Sequence, residues 1–298
     1  AFNVDISKWD VSQVTNMDYM FWEAKSFKQQ LCRDSWLNSQ ASKTEMLTGS
    51  AGTMCTNALA SRAMLRSAVV ACLELAPKGG CPNGPHGAIA EWDVSRITDM
   101  DKVFDGASSF NGDITKWDVS SVTIMSAMFT GATSFNGDLS KWDVSTADTM
   151  RSMFRAAPAF NGDISKWDVS SVKNMDGMFL GATLFNSDIS KWDVRVVKHM
   201  SSMFCWAISF NGDISSWDVS RAKDMNKMFC GARSFNSDVS SWDVSSVLTM
   251  DYMFWNAAYF QRQLCRGAWV TSKASKFEMF TGSSGSIPQA VCTTSVCT

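Results

Sequence analysis

The chain has 298 residues, and its net charge of −2, without any basic run, argues against nucleic acid as a partner. Hydrophobic residues make up 45% of the chain and charged residues 19%, a balance that is typical of folded proteins and not of disordered ones. No apolar run approaches the roughly 18 residues that a transmembrane helix needs, so we expect no transmembrane segment.

Residues 1–57 predict the end of one repeat array and its C-terminal cap. They begin in mid-repeat, so we expect a fragment of a longer precursor. Asp-Tyr-Met-Phe-Trp at 18–22, followed by Leu-Cys-Arg at 31–33, returns in the same order at 251–255 and 264–266. Because the last repeat of a solenoid needs an atypical segment over its open core face, we interpret residues 261–298 as a second C-terminal cap.

Residues 58–88 predict a helical N-terminal cap and a linker for a second array. Apolar side chains at Leu65, Val69, Cys72 and Leu73 have the spacing of an amphipathic helix. The segment 78–87 that follows is rich in glycine and proline, which favour turns. We therefore expect at least two capped arrays in series.

Residues 89–260 predict an array of 25-residue repeats, typified by 160–184, FNGDISKWDVSSVKNMDGMFLGATL. The motif recurs without insertions, and large apolar residues keep the same position in every copy. One repeat cannot bury such a face alone, so stacked repeats are expected to share a core. The predicted core ladder consists of Trp92, Trp117, Trp142, Trp167, Trp192, Trp217 and Trp242, with Phe129, Phe154 and Phe179.

The spacing of apolar residues within one repeat predicts two elements. Residues 164–172 follow the spacing of a leucine-rich strand, and residues 172–182 place their apolar side chains along one stripe of a short helix. The fold class expected from these patterns is an α/β solenoid, a leucine-rich-repeat-like right-handed stack of short parallel strands and short helices with capping segments.

The recurring motif FNGDISKWDVSSVxxMxxMFxGAxxFN resembles that of BspA-type leucine-rich repeat surface proteins of bacteria and protists. The resemblance covers residues 1–30 and about 88–263. It implies a cell-surface or secreted protein, with adhesion as the role of several members. The family has no shared catalytic residues to carry over to this chain.

The placement of the nine cysteines predicts four disulfide bonds, as expected for an extracellular protein. The predicted pairs are Cys32–Cys55, Cys72–Cys81, Cys205–Cys230 and Cys265–Cys292, and Cys297 is left over. Cys205 and Cys230 lie one repeat apart, so stacking would bring their Cα atoms to about 5 Å, inside the disulfide range. Free buried thiols are the alternative. A zinc site is disfavoured because His86 and His199 are isolated and no Cys-x-x-Cys is present.

Two polar ladders recur with the repeat. The asparagine ladder, Asn111, Asn136, Asn161, Asn186, Asn211 and Asn236, predicts an amide column that bridges successive turns. The aspartate ladder includes Asp118, Asp143 and Asp168, whose carboxylates are expected to accept from backbone amides in turns. A calcium ladder is the alternative for these carboxylates, and no other cofactor is expected.

Two further columns have a structural and a functional interpretation. The Met-x-x-Met pairs fit core packing, with copper(I) binding as the alternative. The tryptophan column fits burial, with an exposed sugar-stacking platform as the alternative.

The position after each Met-Phe varies from repeat to repeat, which favours a contact surface on a constant scaffold.

These features favour an extracellular or cell-surface structural and adhesive protein that is a scaffold for protein–protein contacts. The expected partners are other proteins, including copies of the chain joined end to end in a surface filament. A glycan- or ligand-binding surface module is the alternative. An enzyme is disfavoured, because histidine is scarce and no acid–base pair stands outside the ladders.

Overall fold

Turns and irregular backbone, rather than strands or helices, make up most of the described chain. The computed structural model describes residues 2–31, 34–37, 39–54, 59, 61–82, 84 and 86–291. The elements in chain order are β1 (Gln30–Leu31), α1 (Asp34–Leu37), β2 (Thr53–Met54), α2 (Arg62–Leu75), a 3-10 turn (Ile89–Glu91) and α3 (Gly267–Thr271). β1 and β2 pair in parallel, with Gln30 opposite Thr53 and Leu31 opposite Met54.

The predicted α/β solenoid of short parallel strands and short helices is wrong. Between the 3-10 turn and α3, the described residues form no strand and no helix. Successive 25-residue repeats, which we call rungs, are joined instead by single parallel bridges, such as those from Asn174 to His199 and from His199 to Asp224. Each rung is a series of tight turns.

The predicted strand at 164–172 is interrupted by two of these turns. The amide of Trp167 donates to the carbonyl of Ile164 at 3.2 Å, and that of Val172 donates to Val169 at 2.9 Å. Between them, the carboxylate of Asp168 accepts from the amide two residues further on, at 3.0 Å, which is the bond of an Asx turn. An extended strand is incompatible with bonds that close every few residues.

The predicted helix at 172–182 is absent because alternate amides donate to the next rung, and those of Met178, Leu180 and Ala182 donate three residues back instead of four. The bonds run from Met175 to His199, Gly177 to Ser201, Phe179 to Met203 and Gly181 to Cys205, at 2.7–2.9 Å. Gly177 and Gly181 have φ values of 61° and 73°. Positive φ at the third position of a turn is typical of type II turns and excludes a right-handed helix.

Equivalent apolar residues of successive rungs stack on one another. The rings of Phe129 and Phe154 lie 5.5 Å apart, and those of Trp167 and Trp192 lie 6.5 Å apart and are parallel within 3°. The indole of Trp167 also donates to the carbonyl of Leu139 at 3.0 Å, and the tryptophans from Trp117 to Trp242 all bond in this way to the rung before them. Burial and these bonds together connect every rung to its neighbours.

α2 packs on the first rung of the second array. Leu65, Val69 and Cys72 on one face of α2 are buried in the same core as the array. Arg62 pairs with Asp99 at 3.0 Å and with Asp101 at 3.3 Å. The helix lies within the segment for which an amphipathic helix is predicted. Among the described residues, no helix has both the length and the hydropathy needed to cross a membrane.

The array continues beyond residue 260 as a further rung. The indole of Trp269, in α3, donates to the carbonyl of Val239 at 3.1 Å. Phe280 stacks on Phe254 with 5.6 Å between ring centroids. Residues 6–46 hold a second, separate core that includes Phe21, Phe27 and Trp36.

Candidate interaction surface

The residues of the core ladder lie inside the stack. Trp92, Trp117, Trp142, Trp167, Trp192, Trp217 and Trp242 are 1–6% exposed, and Phe129, Phe154 and Phe179 are fully buried. The tryptophan column therefore offers no ring face to a sugar. The methionine pairs, such as Met175 and Met178, are buried beside the phenylalanines, as expected of core packing.

The asparagine ladder forms a continuous column along one edge of the stack. Each side-chain oxygen accepts from the amide of the asparagine one rung later. Asn111, Asn136, Asn161, Asn186 and Asn211 accept in turn from Asn136, Asn161, Asn186, Asn211 and Asn236, at 2.8–2.9 Å. Asn236 accepts from the amide of Gln261 at 3.1 Å, so the column extends into the last rung. These side chains are structural bridges between rungs.

The aspartate ladder makes local bonds. Asp118, Asp143 and Asp168 each accept from the serine amide two residues further on, at 3.0–3.1 Å. At Asp143, the bonds from the hydroxyl and the amide of Ser145 lower the pKa of the carboxyl. These carboxylates are thus occupied within their own turns. The described part of the chain contains no group of three or more His, Cys, Asp or Glu side chains arranged to hold a metal ion, such as the alternative calcium ladder would need.

The predicted cysteine pairs do not all have the same outcome in the structure. Cys72 and Cys81 form a disulfide with their Cα atoms 5.4 Å apart. Cys265 is disulfide-bonded, while Cys292, its predicted partner, lies outside the described residues. Cys32, Cys55 and Cys297 also lie outside them.

The predicted bond between Cys205 and Cys230 is not formed, and both are buried free thiols. Stacking does bring them together, but as a hydrogen-bonded pair. Donating to Cys230, together with burial, raises the pKa of Cys205, and accepting that bond lowers the pKa of Cys230.

The side of the array carries a partly exposed cluster that we call the aromatic patch, made of Trp206, Tyr252 and Trp255. The rings of Trp206 and Trp255 meet edge to face, with centroids 6.4 Å apart and planes at 74°. Trp206 is 39% exposed, although most large apolar residues of the array are buried. Lys227 places its ammonium 5.5 Å from the centroid of Tyr252, a cation–π contact on the same surface.

Gly231 allows the two indoles to meet. It lies between them in the stack, and a Cβ atom at this position would be 2.7 Å from the ring of Trp206. The variable position after Met-Phe, which holds Cys205, Cys230 and Trp255, indicated a contact surface from the sequence. No pattern in the sequence predicts that Trp206 reaches Trp255, because these residues belong to rungs that are not adjacent.

Comparison with known families gives one match. A family described as "Mycoplasma protein of unknown function, DUF285" matches residues 1–60, 81–192 and 178–291. No curated protein and no solved structure matches the chain. Since the family matches leave out only residues 61–80 and 292–298, the chain belongs to this DUF285 family of repeat proteins.

Proposed function

We propose that this chain is a structural and adhesive scaffold at the cell surface that binds other proteins through the aromatic patch. The observation that carries the proposal is the edge-to-face contact between the exposed indole of Trp206 and the partly exposed indole of Trp255 on the side of the array. Tryptophan and tyrosine are the side chains that most often dominate the binding energy of protein interfaces.

The rungs beneath the patch support this role. Trp206 donates its backbone amide to Cys230 at 2.7 Å, and Gly231 donates to Trp255 at 2.7 Å. These bonds fix the backbone of the patch across three successive rungs. A patch that is already ordered loses less conformational entropy on binding, so more of its contact energy contributes to affinity.

The proposal includes an extracellular location, adhesion, and kinship with BspA-type repeat proteins. The disulfides at Cys72–Cys81 and at Cys265 support it, because such bonds persist mainly in oxidising compartments. The repeat motif itself supports the kinship. A non-catalytic role is part of the same proposal, since the ladders that recur along the array are occupied in structural bonds.

The proposal is tested by adhesion of the native cells to surfaces coated with the chain. We compare the wild type with the double variant Trp206→Ala, Trp255→Ala, and use Leu184→Ala, which removes another exposed apolar side chain, as the matched control. A hot spot of about 2 kcal/mol corresponds to roughly thirtyfold weaker binding of the double variant. Equal adhesion of all three proteins, or antibody labelling only after cells are permeabilised, would contradict the proposal.

A second candidate is a glycan-binding module at the same patch. It is favoured by the exposed indole of Trp206, because aromatic faces stack on apolar faces of sugars. A glycan array separates the two functions. Saturable binding of one glycan class that is lost in Trp206→Ala supports this alternative, whereas adhesion without glycan binding supports protein recognition.

A further inference from the structure

Three lysines lie above one another on the side of the array that carries the bonds between rungs. Lys173, Lys198 and Lys223 occupy the same position in successive rungs, and we call them the lysine column. The amide of Lys198 donates to the carbonyl of Lys173 at 2.9 Å, and that of Lys223 donates to Lys198 at the same distance. Backbone bonds of this kind hold neighbouring chain segments about 4.8 Å apart. The column therefore carries one positive charge per rung along the axis of the stack.

Two of the three charges in the column are uncompensated. All three side chains are exposed, and Lys198 and Lys223 form no ion pair with any residue that the structure describes. Lys173 pairs with Asp148, which precedes it in the same column. Lys223 donates to a neutral acceptor, the carbonyl of Ser246, at 3.3 Å. Like charges held on adjacent rungs repel each other, and a bound anion would remove that repulsion.

A second row of lysines, at another position of the rung, is compensated. Its members are Lys116, Lys141, Lys166 and Lys191. Lys116 pairs with Glu91 at 2.6 Å. In the other three rungs the lysine acts on an aspartate three residues earlier, whose pKa is lowered by bonds from the following serine and, to a smaller extent, by the lysine. These pairs are Asp138–Lys141, Asp163–Lys166 and Asp188–Lys191. The lysine column thus differs from this row in its electrostatic environment and not in its period.

The face around the lysine column is positive, although the chain as a whole is negative. This face consists of residues 148–156, 173–181, 198–206 and 223–231, which backbone bonds join from rung to rung. These four stretches contain six Lys or Arg and three Asp, a net charge of +3, whereas the whole chain carries −2. A local excess of one sign of charge attracts partners of the opposite sign. The face therefore suits an anionic partner.

Carboxylates on both sides of the column restrict the shape of that partner. Asp176 and Asp224 follow the column along the rung, and Asp193 and Asp218 precede it. A flat anionic surface would meet these carboxylates, whereas a narrow chain that runs along the column would not.

The spacing of the rungs restricts the chemistry of the partner. Alternate side chains of an extended acidic peptide recur every ~6.6 Å, which does not match rungs about 4.8 Å apart. In an extended polysaccharide, each sugar advances the chain by about one rung. An acidic polysaccharide can therefore place one anionic group beside each lysine of the column.

We propose that the lysine column binds an acidic polysaccharide along the axis of the stack, with one sulfate or carboxylate group per rung. Lys198 and Lys223 form the centre of the site, and Lys173 extends it at the end next to Asp148. The exposed side chain of Leu248, whose amide donates to the carbonyl of Lys223, ends the column on the other side. The site goes beyond the proposed function, because it is separate from the aromatic patch and recognises charge.

Binding of labelled dextran sulfate to the full chain tests the proposal, with uncharged dextran as the ligand control. We expect saturable binding of the sulfated polymer alone. About three ionic contacts predict that the logarithm of the affinity falls by about 2 for each tenfold increase in salt concentration.

Variants of the two lysine rows show whether position or net charge decides the binding. Lys198→Ala combined with Lys223→Ala should weaken binding about tenfold. The matched control, Lys141→Ala combined with Lys166→Ala, removes the same two charges from the compensated row and should leave binding unchanged. Lys198→Arg combined with Lys223→Arg keeps both charges and should retain binding.

Absence of binding at low salt overturns the proposal, as does an equal loss of binding in the two alanine pairs. Tighter binding of poly-glutamate, or of vesicles that contain an anionic lipid, than of dextran sulfate also overturns it, because the partner would then be a peptide or a membrane. The double variant Trp206→Ala, Trp255→Ala should bind dextran sulfate like the wild type. Failure of the lysine column and failure of the aromatic patch are therefore distinguishable.

Discussion

Replacing Ala156 with glycine should stabilise the protein, because Ala156 adopts a backbone conformation that suits glycine. Its φ is 52°, and the same column holds Gly131 and Gly181 at 69° and 73°. A left-handed conformation costs an L-residue about 1–2 kcal/mol. The greater freedom of glycine in the unfolded chain offsets about 0.5–1 kcal/mol of that. We expect a net gain of about 0.5–1 kcal/mol.

The reciprocal change, Gly181→Ala, should destabilise the protein by a similar amount. Its new Cβ atom would lie 3.7 Å from the Cα of Ala156, an ordinary contact, so only the backbone conformation is penalised. Thermal unfolding followed by circular dichroism measures both variants, and 1 kcal/mol corresponds to about 2–4 °C in Tm for a large domain.

Ala157→Gly is the matched control, since Ala157 is fully buried and is not among the residues with positive φ. We expect this variant to lower the Tm, because glycine loses more entropy on folding and leaves a space. If Ala156→Gly lowered the Tm as much as Ala157→Gly does, the left-handed turns assigned to this column would be refuted.

Three further outcomes are expected. Hydrogen bonds from a hydroxyl and a backbone amide lower the pKa of Asp251 below its ordinary value of 3.8. The ionised carboxylate therefore stabilises the fold above that pH, and this stabilisation is lost as the pH falls through the folded pKa. The Tm difference between wild type and Asp251→Asn should shrink from pH 5 to pH 2. Reducing Cys72–Cys81, which closes a separation of 9 residues, should cost about 2–3 kcal/mol, measured as a Tm drop that a Cys72→Ser, Cys81→Ser variant reproduces. Gly231→Ala should displace Trp206, since its Cβ would lie 2.7 Å from that ring, and change the tryptophan fluorescence; an unchanged spectrum would contradict the edge-to-face pair.

The sequence predicted which residues share the core, but not the path of the backbone between them. The period places Trp167 over Trp192 whatever the local conformation, because equivalent positions stack. Apolar residues that recur at every third position fit a helix. The same spacing also fits tight turns that are closed by a hydrogen bond between residues three apart, such as the one from the amide of Met178 to the carbonyl of Met175. Gly177 decides between them through its positive φ, a property that a sequence pattern does not display.

The aromatic patch was only partly predictable for a related reason. Variation after Met-Phe predicted a surface column. Trp255 is partly exposed, but Cys205 and Cys230 in the same column are buried, so the prediction is wrong at those two positions. The meeting of Trp206 with Trp255 depends on the side chain of Trp206 lying across Gly231, and rotamer choice of this kind follows from packing in three dimensions. The free thiols of Cys205 and Cys230 likewise depend on oxidation, which the spacing does not determine.

The asparagine column gives the array a unit of permissible length change. Each side chain accepts from the amide 25 residues later, so excising residues 161–185 would bring Asn186 next to Asn136 with the asparagine column unbroken. Removing a fraction of that length would put the bridge that spans the deletion out of register. Gene duplication or recombination can therefore lengthen or shorten such an array in whole modules, and selection on length need not disturb its packing.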